Sequence, residues 1–380
     1  MSVSSLDKML VSNSPCRTDY LVVKCFIEKL LKIQPPQNAQ VISTEKAYYD
    51  DHGISHIERV ILKLDKLHEL INMNEREASL LLIAAYCHDL GMFCGRRKGE
   101  SPDVTRTEHH LRSAQAFQDF NDKRFHFDIA RADPIKRIIS AHRVIDLHDL
   151  PEEQRIEGNV IRTRLLGSFL RIADACDCDH SRTPEAIFDA YYSHIPEKSR
   201  KYWQKLLCVT SVDFDTQRSA IVVSITIDGS LTEKVATYRS GNIVRQNLLR
   251  ELHSVTEVFR KYGVPLTTVN IMNFGSGKYI DPSYPPIYAR YFLISLKAWS
   301  TRIDSLTKTL SSFVSNDGFP LIIELRHPEG PLFFDSDIKL DGTKVGELTD
   351  SLRESLDDQF EGLLLIGAER EVIMTAANSK

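Results

Sequence analysis

Residues able to ligate a metal recur through the first half of this chain at intervals that suit a helical bundle. They are His56, the adjacent pair His88-Asp89, His109, His142 and Asp174, about 20 to 33 residues apart, with His110 beside His109. Each lies within, or at the end of, a stretch whose apolar residues recur with helical period. One such residue per helix is a strong constraint, because the helices must converge on a common interior, as in bundle metal sites. The flanking residues agree. Ala84, Ala85, Tyr86 and Cys87 precede the His-Asp pair, Ile138, Ile139 and Ala141 precede His142, and Phe169, Leu170, Ile172 and Ala173 precede Asp174. A carboxylate at the end of such a run is not placed as a plain surface residue would be.

The pattern predicts helices over 21–33, 52–71, 74–88, 107–120, 133–142 and 160–178. Asn74 with Glu77 three residues later reads as a capping box, Gly91 as a stop, and Pro134 as a first-turn proline. No convincing strand interrupts these stretches, so residues 1–190 read as all-α. The character changes after Tyr191. Val-, Ile- and Thr-rich runs predict strands at 206–214 and 220–228, then a helix over 242–262 and a strand at 266–274. Phe274 to Tyr288 is rich in Gly, Pro and Tyr and reads as a linker. Beyond it the pattern predicts a helix over 291–314, a strand at 320–326, a helix over 346–359, and strands at 362–366 and 371–375. The expected class is therefore α+β multidomain: an N-terminal all-α helical bundle followed by smaller α/β accessory modules. The boundaries are a helical extension over 1–45, the metal-bearing bundle over 46–195, a ββαβ module over 196–275, a linker over 276–288, and an α/β module over 289–380.

A chain of 380 residues with 42% hydrophobic and 26% charged residues can build ordinary cores. A net charge of -4 supplies no global basic field, so nucleic acid is not the favoured partner. Met1 to Pro15 lacks the charged and apolar regions of a signal peptide, and the longest apolar runs fall far short of the roughly 20 residues that span a bilayer. The seven cysteines include no CxxC pair and read as reduced thiols. A cytoplasmic protein without a membrane partner is expected.

Hydrolysis of a phosphate ester needs what this pattern offers. Two divalent cations about 3.5–4 Å apart can share a hydroxide nucleophile and hold phosphate oxygens. Imidazoles with carboxylates suit Mn, Fe, Co, Ni or Zn, whereas an all-oxygen site would suit Mg or Ca. The loop from Gly91 to Thr105 leaves directly from the His-Asp pair and carries Arg96, Arg97 and Lys98, which could reach a phosphate. Arg143, Arg171 and Arg182, at the ends of the ligand helices, are further phosphate-contact candidates. Gly275-Ser276-Gly277-Lys278 fails the spacing of a phosphate loop, since Met272 stands at the first glycine position and Tyr279 follows the lysine. Asp177 and Asp179 either extend the acidic site or belong to the turn that ends their helix. His52, one turn before His56, is read outside the ligand set. The aromatic residues Tyr191, Tyr192, Tyr202 and Trp203 read as packing rather than as a base-stacking platform.

The ordered set His56, His88-Asp89 and Asp174 resembles the signature of the HD-domain superfamily of metal-dependent phosphohydrolases. "DHGISHIERV" resembles the family's first-histidine helix, "AAYCHDLGMF" its His-Asp segment, and "RIADACDCDHSRTP" its last-aspartate helix. These stretches are similar to the HD-CE subgroup, whose members often carry an Hsp90-like ATPase module, although this chain shows no ATPase motif. The extra histidines are similar to those of HD-GYP phosphodiesterases, in which one histidine stands four residues before a small residue, as His109 stands before Ser113. The resemblance covers about residues 40–190. It implies that His56, His88, Asp89 and Asp174 bind a first metal, that Asp89 bridges to a second held by His109 and His142, and that His88 and Asp89 are central to catalysis. His110 competes with His109, since neighbouring helical residues point about 100° apart. The GYP tripeptide and a doubled histidine at 142 are absent, which leaves cyclic-di-GMP specificity open.

The expectation is a divalent-metal phosphohydrolase or phosphodiesterase acting on a nucleotide or cyclic (oligo)nucleotide through a metal-bound hydroxide. One alternative is a catalytically weak or inactive regulatory scaffold that senses a nucleotide and engages an ATPase or signalling protein through its C-terminal half. The other is a single-strand nuclease. The pattern leaves a homo-oligomer open.

Overall fold

The computed structural model describes residues 4–33, 52–94, 102–143, 145–183, 185–195, 197–227 and 231–280, and, further on, residues 290–296, 314–326, 332–333, 339–340, 351, 360–366 and 372–375. It divides into two compact units, Met1–Ser224 with Asn247–Val269, and Ile225–Gln246 with Asn270–Lys380.

The first unit begins with α1 (Ser5–Met9), α2 (Pro15–Ile33), α3 (Ile54–His68) and α4 (Glu75–Cys87). Its centre is α4. Asn74 accepts from the Glu77 backbone N–H and the Glu77 side chain returns the bond to Asn74, which is the expected capping box. Glu77 is fully buried and also takes Arg162 at 2.6 Å, so the cap is tied to the chain just before a later helix. From Arg76 to Cys87 every residue of α4 is buried. A helix apolar on all sides belongs inside a core, and α4 packs against α2, α3 and helices further on. Leu81, Leu82, Ala84 and Ala85 are wholly inaccessible. Truncating either leucine to alanine costs about 2–5 kcal/mol at such sites. Helix α4 thus delivers His88-Asp89 into the interior.

Asp89 opens a short turn, Leu90–Met92, which is pressed onto α5 (Pro102–Phe120). A Cβ on Gly91 would stand 2.2 Å from the carbonyl oxygen of His109, so only glycine lets these backbones touch. The Gly91 amide donates to Ser113 Oγ at 2.8 Å. Helix α5 closes in one wide turn, Asn121–Phe125, with His126 left-handed. Helix α6 (Ile129–Ala141) starts earlier than expected. Asp128 caps it, and Pro134 sits inside the helix rather than in its first turn.

Next come β1 (Gln154–Ile156) and β2 (Asn159–Ile161), an antiparallel hairpin that the helical reading of this region did not anticipate. Its turn residues Glu157 and Gly158 both have positive φ, 48° and 83°, as a two-residue hairpin turn requires. Glu157 is held there by Arg76. Helix α7 (Thr163–Ala175) follows and is buried through most of its length. After α8 (Glu185–Tyr191) and α9 (Glu197–Leu207), β3 (Val209–Asp215) and β4 (Ala220–Ile225) precede the long α10 (Leu231–Tyr262), then β5 (Thr268–Asn273) and β6 (Lys278–Ile280). The strand order is β3-β4-β5-β6. The expected linker 276–288 therefore carries a strand at 278–280: Met272 pairs with Tyr279 across the turn, while 281–289 lie outside the described residues. Tyr202 and Leu207 pack on Phe188, Ile195 and Trp203.

In the second unit, β7 (Arg290–Leu296) corrects the start of the helix expected over 291–314. The run Tyr-Phe-Leu-Ile suits a central strand, and β7 lies between β8 (Val314–Arg326) and β11 (Phe360–Ile366). It is parallel to β8 and antiparallel to β11. Strands β9 (Leu332–Phe333) and β10 (Lys339–Leu340) pair with β8, and β12 (Val372–Thr375) with β11. The helix expected over 346–359 falls almost wholly outside the described residues. The chain is α+β, helical first and sheet-bearing later. Among the described residues no helix is long and apolar enough to cross a membrane, and none of the seven cysteines is in a disulfide.

Candidate metal centre

Each metal-competent residue comes from a different element, as one-per-helix spacing requires. His56 is in the first turn of α3, His88 caps α4, Asp89 opens the following turn, His109 is on α5, His142 caps α6, and Asp174 is near the end of α7. All six are buried. They form two clusters, His56-His88-Asp89-Asp174 and Asp89-His109-His142, with donor atoms in each within 4.8 Å of one another.

Asp89 is common to both and divides its oxygens between them. Oδ2 lies 3.2 Å from His56 Nε2 and 3.3 Å from His88 Nε2. Oδ1 lies 3.4 Å from His109 Nε2 and 3.7 Å from His142 Nε2. Asp174 Oδ1 completes the first cluster at 3.3 Å from His56 Nε2.

The far side of each ring fixes its tautomer. His88, His109 and His142 direct Nδ1 at the carbonyls of Ala85, Arg106 and Ile139, at 2.7, 2.6 and 2.5 Å. His56 directs Nδ1 at Asp177 Oδ2, at 2.6 Å. Those partners only accept, so Nδ1 carries the hydrogen in all four rings, and Nε2 carries a lone pair in any ring that is neutral. Yet the Nε2 atoms face each other in pairs, His56 to His88 at 3.0 Å and His109 to His142 at 2.9 Å. Two lone pairs at that distance need a positive charge, a metal ion or a proton, between or beside them. Asp89 Oδ2 is also buried with no hydrogen-bond donor. The residues fit a bound divalent cation.

The two pairs differ electrostatically. Burial opposes charge on His88, but Asp89 and Asp174 outweigh it and the ring is pushed up to about 9. For His56, burial and Arg182 act downward and are overcome by Asp174, Asp177 and Asp89, which hold it well above the usual histidine range. Burial drives His109 down to about 4 despite Asp89. Burial, then His109 and His88, keep His142 far below its ordinary value. Asp89 and Asp174 stay ionised: burial opposes this but is overcome by His88 for the one and by Arg143 with His56 for the other.

The HD-CE family model matches residues 47–254, more than half of the chain and all six residues of the two clusters. The chain belongs to the HD-CE family. No curated protein and no solved structure matches it.

In this HD-CE protein His109 joins the second cluster. His110 is buried, but none of its nitrogens joins either cluster. The basic residues are used in three ways. Arg143 puts Nε 3.8 Å from Asp174 Oδ2 while its side chain stays 35% exposed. Arg182 is buried and engaged internally, with Nη1 donating to the Asp177 carbonyl and Nη2 to His52 Nε2. Arg171 closes the end of α6, donating to the carbonyls of Ala141, Arg143 and Ile145, so it frames His142 rather than facing the clusters. Arg96, Arg97 and Lys98 lie outside the described residues. Sequence reasoning left Asp177 open and did not single out Arg59, which clasps it. The available signal was spacing: Arg59 stands one turn after His56, and Asp177 three residues after Asp174.

Proposed function

We propose that this HD-CE protein is a divalent-metal phosphohydrolase that cleaves a phosphoester in a nucleotide or cyclic (oligo)nucleotide. The observation that carries the proposal is the division of Asp89 between two histidine pairs, which suits one cation per cluster with Asp89 between them. Manganese, iron, cobalt, nickel and zinc suit the donors. Bound there, such cations would ionise water at neutral pH and neutralise charge on the phosphoryl oxygens. The protein supplies the rest. Backbone carbonyls and Asp177 hold the rings in one tautomer, and burial keeps the donors in place before substrate arrives. Arg143, braced by Asp174 on one side and open on the other, is placed to take a phosphate oxygen.

Metal analysis of the purified protein tests this, followed by Mn2+-supported assays on nucleoside triphosphates, cyclic dinucleotides and short single strands. Two metals per chain and turnover abolished in His88→Ala and Asp89→Ala are expected. Metal uptake without turnover of any substrate would instead indicate a nucleotide-sensing scaffold, and preferential cutting of single strands a nuclease.

A further inference from the structure

The four rings are not held alike from behind. His88, His109 and His142 each donate Nδ1–H to the carbonyl three residues earlier on their own chain. His56, in the first turn of α3, differs. Its Nδ1–H goes to a carboxylate instead, Asp177 Oδ2, at 2.6 Å. Asp177 is fully buried. Arg59 clasps it from one turn along α3, with Nε 2.7 Å from Oδ1 and Nη2 3.1 Å from Oδ2. Arg182 holds its backbone carbonyl at 2.9 Å and reaches His52 with its other nitrogen.

We infer that Asp177, anchored by Arg59, is a positioning residue that makes His56 the strongest imidazole donor of the set and biases metal loading toward the first cluster. This rests on the reading of the clusters as a metal centre. A carboxylate shares negative charge with the ring it accepts from, so the opposite nitrogen donates more strongly. A peptide carbonyl, being neutral, does this less. Removing such a partner typically lowers metal affinity about 10–100-fold. Arg59, bonded to both carboxylate oxygens, fixes the plane of Asp177 and so sets the angle of the ring.

Calorimetric Mn2+ titration of the full-length protein tests this in a His142→Ala background, which isolates the first cluster. Asp177→Asn should weaken Mn2+ binding about 10–100-fold, and Asp177→Glu should recover part of the loss. In proton NMR of the metal-free protein, the downfield Nδ1–H resonance of His56 should vanish in Asp177→Asn. Arg59→Gln should shift affinity in the same direction by less, and it carries the test if Asp177→Asn does not fold. Unchanged Mn2+ affinity in Asp177→Asn, or in Arg59→Gln where that variant carries the test, would overturn the inference. If the wild-type protein takes up no Mn2+, the metal-centre reading itself fails; if it binds Mn2+ but turns over no phosphoester, only the proposed activity fails.

Discussion

The two histidine pairs share a carboxylate and almost the same internal spacing, yet they solve the problem of facing lone pairs differently. The pair His56-His88 sits among Asp89, Asp174 and Asp177, and those charges let it take up a proton when no metal is bound. The pair His109-His142 has only Asp89 within its cluster and is kept neutral by burial, against the pull of Asp89 and, on His142, of Asp174. The first pair therefore has a substitute for a metal and the second has none. Carboxylate count separates the two halves, whereas imidazole count does not.

The largest expected effect comes from removing what the halves share. Asp89→Ala should abolish binding at both and lower turnover by at least about 10³-fold, a loss of several kcal/mol of charge stabilisation; a retained second metal, counted by elemental analysis, would show that the halves are independent. Next, His109→Ala should lose one metal and keep the other, while His110→Ala keeps both. The reverse result would reassign the ligand.

A third test uses pH on the metal-free protein. His88 is raised from 6.5 to about 9, so its contribution to stability is full below 6.5 and lost as pH climbs through 9. His109 is lowered from 6.5 to about 4, so the fold favours its neutral form, and stability falls as pH drops from 6.5 toward 4. Denaturant melts should show a maximum between these limbs. His88→Gln should flatten the alkaline limb and His109→Gln the acidic one; a single mutation that flattened both would erase the distinction between the halves. The smallest effect is expected from replacing Arg96, Arg97 and Lys98 by alanine. KM should rise about tenfold, roughly 1.4 kcal/mol, with metal content unchanged.

Much of this was readable from the chain. The α4 capping box, its buried run and the one-per-helix ligand pattern depend on local spacing, which a sequence displays directly. The hairpin at β1-β2 was not, because Glu157 adopts a left-handed conformation that its residue type does not advertise and that Arg76, far away in sequence, supports. Pro134 misled because Asp128, five residues before the Asp133-Pro134 pair, made the better cap. The strand Arg290–Leu296 reads as helix in the sequence because a short apolar run carries no period of its own. The residues that come together in the two clusters were legible through their neighbours, but the contacts of the arginines were not. Arg143, Arg171 and Arg182 look equivalent on the page; only the carbonyls and carboxylates they meet separate them.

The spread of the ligands over separate helices has a thermodynamic consequence. An unfolded chain could gather these groups only by closing several loops of 20 to 33 residues at once, each at an entropic cost. It would be a poor chelator. Metal should therefore bind the native state almost exclusively, and the linkage between metal concentration and stability should be nearly undiluted. Above the dissociation constant, each tenfold rise in free metal should add about 1.4 kcal/mol per site to the unfolding free energy. The melting temperature of this protein would then report free metal in its surroundings.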